Sequence, residues 1–251
     1  KGEVTWIRLN RPDRMNAFDG DMNKTIRSAV QDAASSGVIV ITGTGRAFCA
    51  GGYLAKLSEA DPNDLRKMFY ATLDLVETIR TSPRPVIAAV NGAAIGGGNE
   101  LVVACDIAVA AESATFGQTG VRVGSAPVLG GTNFLSMTIG EKRAKEVAFM
   151  CRRYKAAEAH ELGWINAVVP DDQLEEEASR WADELLCMSP RYLEIAKINS
   201  NLWWNMCRDN YLSGLGMVVQ AIGSDDMIEG ATAFMEKRKP HFPGRAKPKS
   251  E

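Results

Sequence analysis

The chain has 251 residues and a mass of 27.2 kDa, which is enough for one large domain with a substantial buried core. Hydrophobic residues make up 45% of the chain and charged residues 24%, an ordinary globular composition that excludes disorder, collagen or coiled coil as a description of the whole. The net charge of −2 gives no basic surface for nucleic acid, and every apolar stretch falls short of the ~18 residues of a membrane span. We therefore expect neither a nucleic-acid partner nor a membrane association.

The cysteines form an odd set of five without a CxxC pair. That pattern favours a reducing compartment over a disulfide framework or a zinc site, so we predict a cytoplasmic protein without a metal centre. Cys49 has no histidine near it in the sequence, because the two histidines are His160 and His241. We expect it to be a small buried thiol rather than a nucleophile.

In chain order, the first half alternates between strand and helix patterns. Short apolar runs predict strands, and apolar residues at helical spacing predict helices. The predicted strands are Val4–Leu9, 38–42, 85–90, 106–110 and 114–116, and the predicted helices are 22–34, 65–79 and 96–105.

The second half is mainly helical, with one predicted strand at 165–169 that ends before Pro170. Strand–helix alternation followed by helices indicates an α/β core with a smaller helical region behind it. The predicted helices are 131–139, 141–150, 156–162, 172–186, 190–201, 205–222 and 225–237.

Two glycine-rich turns each follow a predicted strand, FCAGGYL at 48–54 and GGGNE at 96–100. Glycine lets a backbone approach a ligand closely, and a helix N-terminus offers unpaired N–H groups. Two such turns could place two N–H donors around one oxygen, which suits a thioester carbonyl that becomes an enolate or a tetrahedral adduct. The alternative is a pair of tight turns with a purely structural role. A dinucleotide-binding site is disfavoured, because no GxGxxG motif opens a helix.

Taken together in order, these segments resemble the enoyl-CoA hydratase/isomerase family, also called the crotonase family. The matching motifs are FCAGG at 48–52, AIGGGNEL at 94–101, CD at 105–106 and FGQ at 116–118, with NRP at 10–12, MNA at 15–17, RPVIA at 84–88 and GGT at 130–132. The C-terminal half is most similar to dihydroxynaphthoyl-CoA synthases and 2-ketocyclohexanecarboxyl-CoA hydrolases. That similarity rests on VGS at 123–125, CRRY at 151–154, EEE at 175–177 and EKRKP at 236–240.

The resemblance implies a spiral of ββα units over residues 1–190 and a helical trimerisation region over 191–251, assembled as a homotrimer or a dimer of trimers. It implies an acyl-CoA substrate, no tightly bound cofactor, and a thioester oxygen held by the N–H groups of Gly52 and Gly97. The residues at CoA- or substrate-contacting positions are Arg14, Met15, Ala17, Ala50, Gly51, Lys56 and Gly120, with Lys237 and Phe242 near the adenosine phosphates. For Lys237 the alternative is a solvated helix end.

The carboxylates depart from the family pattern. Hydratases of this family use two glutamates, and Glu100 matches the first, whereas Gly120 stands at the position of the second. No Asp or Glu occurs between Glu112 and Glu141, so no neighbour in sequence replaces it. A glycine here is similar to the naphthoyl-CoA synthases in which bound bicarbonate supplies the base. That branch carries an apolar residue at 100 and an aspartate at 127, where this chain has Glu100 and Pro127.

The predicted function is that of an acyl-CoA enzyme in which Glu100 is the general base or acid towards water. Hydration of an α,β-unsaturated thioester is the family's common reaction, and ring opening of a cyclic β-oxoacyl-CoA is the alternative from the C-terminal branch. Ser125 could hydrogen-bond a substrate carbonyl or a water, or could be a cap or turn serine. A non-catalytic acyl-CoA-binding scaffold is the third interpretation, because the second carboxylate is missing.

Overall fold

Two β-sheets, wrapped by helices, form the frame of the molecule. The computed structural model describes residues 3–53 and 61–242, apart from the side chains of residues 202–205 and 207. Within these residues the strands are β1 (Val4–Leu9), β2 (Val38–Gly43), β3 (Ala47–Cys49), β4 (Val86–Val90), β5 (Ala93–Ile95), β6 (Ile107–Ala111), β7 (Thr115–Gly117), β8 (Tyr154–Lys155) and β9 (Ala167–Val169).

Ten α-helices lie in the described part of the chain, together with short 3-10 turns. They are α1 (Gly20–Asp32), α2 (Pro62–Thr81), α3 (Gly97–Ala104), α4 (Asn133–Ile139), α5 (Glu141–Met150), α6 (Ala156–Glu161), α7 (Leu174–Leu186), α8 (Pro190–Ser200), α9 (Leu202–Gln220) and α10 (Asp225–Met235). None of the helices in these ranges is long and apolar enough to cross a membrane.

The larger sheet has the order β1-β2-β4-β6-β9 and is parallel throughout. The smaller sheet has the order β3-β5-β7-β8, and only its β7–β8 pair is antiparallel. Three successive strand pairs, β2/β3, β4/β5 and β6/β7, each give one strand to either sheet. This repetition confirms the predicted α/β spiral of ββα units.

The larger sheet is buried on both faces, as a parallel sheet requires. Alternate residues of β2 pack on opposite sides: Ile39 and Ile41 face the main core, whereas Val38 and Val40 pack against α7. Every residue of β2 is buried. This explains why β2 reads in sequence as a continuous apolar run rather than an alternating one.

A partly buried ion pair ties the C-terminal helices to the sheets. Lys197 Nζ in α8 lies 2.7 Å from Asp106 Oδ2 and also donates to two main-chain carbonyls. Burial lowers the pKa of Lys197 and raises that of Asp106, while each charge stabilises the other. Asp106 also accepts a hydrogen bond from Val86 N (2.8 Å), so it links β4 to α8.

Candidate active site

The two glycine-rich turns lie in direct contact. Gly51 has a φ of +87°, and a Cβ on it would stand 2.8 Å from Ile95 O and 2.9 Å from Gly97 N. A Cβ on Gly98 would overlap the carbonyl oxygen of Cys49. Only glycine therefore allows the turn after β3 and the turn before α3 to approach this closely.

Backbone pairing leaves two N–H groups outside the hydrogen bonds of the turns. Gly52 pairs with Phe18 as an isolated parallel bridge, in which Phe18 N donates to Gly51 O and Tyr53 N donates to Phe18 O, each at 2.9 Å. The N–H of Gly52 itself takes no part in that bridge. Gly97 is the first residue of α3, so its N–H has no partner within the helix. Both glycines line one cavity of about 100 Å³.

A buried asparagine holds the segment before α1 against the first turn. Met15 and Asn16 both have a left-handed backbone, and the Asn16 side chain donates to Thr44 O (2.9 Å) and Ala47 O (2.8 Å). Ala50 N donates to Met15 O at 3.0 Å. In the sequence, Asn16 stands out only as part of the MNA motif at 15–17. Its role depends on carbonyls about thirty residues away, so no local signal could have revealed it.

Glu100 is the acid of this cavity. Its position three residues after Gly97 in α3 brings the carboxyl group to the same cavity, as the helical spacing predicts. Oε1 accepts hydrogen bonds from Leu129 N (2.8 Å) and Gly131 N (3.2 Å). Burial raises the pKa of Glu100 to about 7, against the opposing effect of these two N–H groups. A carboxyl with that pKa can exchange a proton near neutral pH.

A buried tyrosine lies within electrostatic reach of Glu100. Burial raises the pKa of Tyr211, and the Glu100 charge raises it further. Its ring packs against Phe134 with a centroid distance of 5.9 Å. Tyr211 therefore stays neutral in the core beside the acid.

The far wall of the cavity consists of the loop after β7. Gly120 lines the cavity, but a Cβ on it would lie 3.1 Å from Pro127 Cδ and 3.2 Å from Ala126 Cα. Ser125 N donates to Gly120 O at 2.8 Å, which folds this loop back on itself. Pro127 and Ala126 therefore leave little space for a side chain at position 120.

A second, larger cavity of about 540 Å³ adjoins the first and shares Phe69, Ser125 and Ala126 with it. Its other walls come from the loop after β7 and from α9 and α10, and they are mostly apolar. Val121, Val128, Met217, Ile222, Met227 and Phe242 all line it. An apolar group attached to a molecule in the small cavity would find room here.

Comparison with known proteins identifies this arrangement. The model of the enoyl-CoA hydratase/isomerase family matches residues 1–245. The chain belongs to this family. An enoyl-CoA hydratase from Bacillus anthracis is 34% identical, with a TM-score of 0.77 and 96% of each chain covered.

Two further solved structures widen the comparison. A carnitinyl-CoA hydratase from Mycobacterium avium is 30% identical, with a TM-score of 0.85 and coverage of 98% of this chain and 97% of that one. A monofunctional enoyl CoA isomerase from M. smegmatis is 33% identical, with a TM-score of 0.69 and coverage of 84% and 92%. Proteins similar to this chain thus include both hydratases and an isomerase.

The structure brings only some of the family's expected contact positions into the cavity. Ala50, Gly51 and Gly120 line it, together with the two N–H donors and Glu100. Arg14 lies outside it and stacks on Tyr53, with 4.6 Å from its guanidinium carbon to the ring centroid.

The other expected CoA-contacting residues lie in several parts of the fold outside the small cavity. Met15 and Ala17 belong to the segment held by Asn16, and Lys237 is an exposed residue just after α10. Phe242 lines the apolar cavity. Lys56 falls outside the described residues.

Cys49 is a buried thiol, as predicted. Gly51 N donates to its Sγ at 3.4 Å, and burial raises its pKa to about 12. It is therefore neutral near pH 7 and unsuited to nucleophilic attack. Among the described residues, no cluster of three or more His, Cys, Asp or Glu side chains could hold a metal ion.

Proposed function

We propose that the chain is an acyl-CoA enzyme that adds water to an α,β-unsaturated thioester. One observation carries this proposal. The buried carboxyl of Glu100 lines one small cavity with Gly52 and Gly97, whose N–H groups have no hydrogen-bond acceptor among the described residues. Donors aimed at a carbonyl oxygen stabilise the negative charge that develops there. A base with a pKa near 7 can take a proton from water at the same time.

The reaction balances with Glu100 as the single proton carrier. The carboxylate takes a proton from water while the water oxygen bonds to the β-carbon, and the electron pair of the double bond moves onto the thioester as an enolate. Gly52 and Gly97 stabilise the enolate oxygen. The protonated Glu100 then returns its proton to the α-carbon, so the net change is the addition of one water. Because Gly120 replaces a carboxylate, no second acid from that position shares the task.

The proposal is tested by steady-state kinetics with a series of enoyl-CoA thioesters. Glu100→Gln keeps the size and polarity of the side chain but removes the titrating group, so kcat should fall ~10²–10⁴-fold while the affinity for a CoA thioester changes little. The matched control is Glu112→Gln, an exposed glutamate, which should keep wild-type kinetics. A folded Glu100→Gln enzyme with wild-type kcat would contradict the proposal. Tight thioester binding by a wild type without turnover would instead favour the non-catalytic scaffold.

A second candidate reaction is hydrolytic opening of a cyclic β-oxoacyl-CoA. The large apolar cavity supports it, because a ring attached to the thioester could lie there beside Ser125. In this reaction water adds to the ring carbonyl, the carbon–carbon bond breaks, and its electron pair becomes the thioester enolate, which is then protonated. Comparing kcat/KM for a cyclic β-oxoacyl-CoA with that for a linear enoyl-CoA separates the two reactions.

Bicarbonate does not fit the small cavity well. None of the described residues that line it is a Lys, Arg or His, so an anion beside Glu100 would lack a counter-charge. Ala126 and Pro127 also narrow the space next to Gly120. We therefore assign the base to Glu100 and derive no step through bicarbonate.

We also propose that the protein assembles as a homotrimer or a dimer of trimers through its C-terminal helices, with residues 191–251 as the assembly region and 1–190 as the catalytic core. Tyr192, Ile195 and Ile198 support this, because they are exposed and recur every three residues on α8. Sedimentation velocity tests it: three or six copies are expected, and a monomer at micromolar concentration would contradict it.

The substrate contacts and the compartment are proposals of the same kind. CoA binding by Arg14, Met15, Ala17, Lys56, Lys237 and Phe242 rests on family membership. Alanine variants of the five residues other than Ala17 should raise KM without changing kcat. We propose a cytoplasmic location from the cysteine pattern. The described thiols, Cys49, Cys105, Cys151 and Cys187, are unpaired, which is compatible with a reducing compartment.

A further inference from the structure

Two glycines bring the C-terminal helix α10 into backbone contact with the loop after β7. Gly124 in the loop has a left-handed backbone with a φ of +72°, and a Cβ on it would lie 2.5 Å from Met227 Cα in α10. Gly230 follows one turn later in α10, and a Cβ on it would lie 2.4 Å from both Gly124 N and Val123 C. Only glycine at both positions therefore allows the two backbones to lie this close.

This contact lies at the boundary between the two cavities. Val123 lines the small cavity that contains Glu100, whereas Gly124 and Met227 line the large apolar one. The loop after β7 forms one wall of the large cavity, and α9, α10 and the turn between them form the opposite wall. The distance between these two walls is therefore fixed where Gly124 meets Gly230.

A small apolar cluster joins α10 to α2 as well. Leu65 of α2 packs with Met227 and Ala231 of α10, and Met68 and Ile222 pack against them. Ile222 also lines the large cavity. A displacement of α10 would therefore move a wall of that cavity, whereas the proposed oxyanion donors and base lie in other elements of the fold.

The large cavity suits an apolar chain that continues from the small one. The two cavities share Phe69 and Ser125, so a chain attached to a thioester in the first leads into the second. Of the described residues that line the large cavity, Asp226 is the only charged one, and most of the others are apolar. Each methylene group that is fully removed from water favours binding about fourfold. This cavity therefore favours long apolar acyl chains over short ones.

We infer that Gly124 and Gly230 are positioning residues for acyl selectivity, because their contact holds α10 against the loop and keeps the large cavity narrow enough to contact a long apolar acyl chain from both sides. This inference rests on the proposed function. A methyl group at position 230 would force the two backbones about 1 Å apart, since non-bonded carbon atoms pack at ~3.5–4.0 Å. A wider cavity makes fewer contacts with the chain, so the preference for long chains is lost.

The test compares a four-carbon and a ten-carbon substrate, but-2-enoyl-CoA and dec-2-enoyl-CoA, in one enzyme preparation. The wild type should have a kcat/KM at least ~10-fold higher for the ten-carbon substrate. Gly230→Ala should lower this ratio by ~10-fold, with kcat for the four-carbon substrate within ~3-fold of wild type. The ratio does not depend on the folded fraction, because both rates come from the same preparation. A purely structural role would lower both rates equally and leave the ratio unchanged, which would overturn the inference.

Gly92→Ala is the matched control. A Cβ on Gly92 would lie 2.3 Å from Arg46 O, a collision as severe as that at Gly230, but Gly92 lines neither cavity. This variant should lose stability and keep the wild-type ratio. An equal fall of the ratio in Gly92→Ala and Gly230→Ala would contradict a specific effect of α10.

Met227→Ala decides the question if Gly230→Ala does not fold. It removes a side chain from the α10 wall without a backbone collision, so the ratio should again fall. Met22→Ala is its control, because Met22 is similarly buried, 7% exposed against 6% for Met227, but lines neither cavity. A wild-type ratio in Met227→Ala would overturn the role of α10.

Calorimetric titration with the saturated thioesters butanoyl-CoA and decanoyl-CoA separates this inference from the proposed function. A wild type that hydrates neither substrate overturns the proposed function. If it still binds decanoyl-CoA more tightly, and Gly230→Ala abolishes that difference, the assignment of α10 stands. A wild type that hydrates both substrates with equal kcat/KM overturns this inference alone. So does a Gly230→Ala variant in which KM rises equally for both, because the CoA part of the substrate would then lie against α10.

Discussion

Gly51 packs against Gly97 so closely that a Cβ on Gly51 would lie 2.9 Å from the Gly97 nitrogen. The nitrogen in question carries one of the two proposed oxyanion donors. The distance between the two donors is therefore set by a contact between backbone atoms. No side chain takes part in this contact, so none can change that distance by changing its rotamer. A rigid pair of N–H groups costs no reorganisation when the negative charge develops.

The first prediction concerns Gly51→Ala. The substitution combines a left-handed φ of +87° with contacts under 3.0 Å to two backbone atoms, so it should lower the free energy of unfolding by ~2–4 kcal/mol. The folded fraction should also lose kcat, because Gly97 N must move. The control is Gly163→Ala, where φ is +74° but nothing lies within 4 Å of the new Cβ. It should cost only ~1–2 kcal/mol and leave kcat unchanged. Equal effects in the two variants would show that the contact between Gly51 and Gly97 contributes nothing to stability or to kcat.

The second prediction concerns the Gly97 donor itself. Gly97→Pro removes the N–H, and proline is tolerated at the first position of a helix such as α3. Loss of one donor should lower kcat by roughly 10²-fold or more. Gly97→Ala is the matched control, because its Cβ meets the same Phe18 ring (2.5 Å to Cζ) but keeps the N–H. If both variants lose activity equally, the collision with Phe18 explains the loss and the donor does not.

Long elements were predictable from the sequence, because each repeats its apolar residues over many positions. Val4–Leu9 and the helix Glu141–Met150 match the structure at both ends. The strands β3, β5 and β8 were missed. Each has only two or three residues, too few for a periodicity, and two of them lie next to the glycine turns.

In the candidate active site too, some residues were predictable from the sequence and others were not. Glu100 was predictable because its distance from Gly97 is a local helical spacing. Its partners Leu129 N and Gly131 N lie about thirty residues further on, and Gly230 is brought beside Gly124 only by the packing of α10 on the loop after β7. Hydrogen bonds from distant backbone N–H groups, and packing between distant segments, produce no recognisable motif or periodicity in a single sequence.

The third prediction is that catalysis does not depend on carbonate. Because the described lining of the small cavity contains no cationic side chain, degassed, carbonate-free buffer should leave kcat within ~2-fold of its ordinary value. Adding bicarbonate back should have no further effect. If kcat instead falls when carbonate is removed and recovers when bicarbonate is added, bound bicarbonate would be the catalytic base.

The fourth prediction follows from the pKa of Glu100. As the base that takes a proton from water, it must be ionised in the free enzyme. Since burial raises its pKa to about 7, kcat/KM should increase with pH through that region and level off above it. A profile that is flat from pH 5 to 9 would exclude Glu100 as the titrating base.

The last prediction uses the same group to link pH to stability. The folded protein holds the Glu100 proton up to a pKa of about 7, whereas the unfolded chain releases it near the ordinary value of 4.5. Between these values the folded state binds more protons, so this group lowers stability as the pH rises, and the loss is complete above about pH 7. Glu100→Gln removes the effect. Its free energy of unfolding relative to wild type should therefore increase from pH 4.5 to 7 by up to about 3 kcal/mol and stay level at higher pH. Urea denaturation at several pH values measures this difference. A difference that does not change with pH would mean that burial costs the Glu100 carboxylate nothing, and the argument for a base poised near neutrality would fail with it.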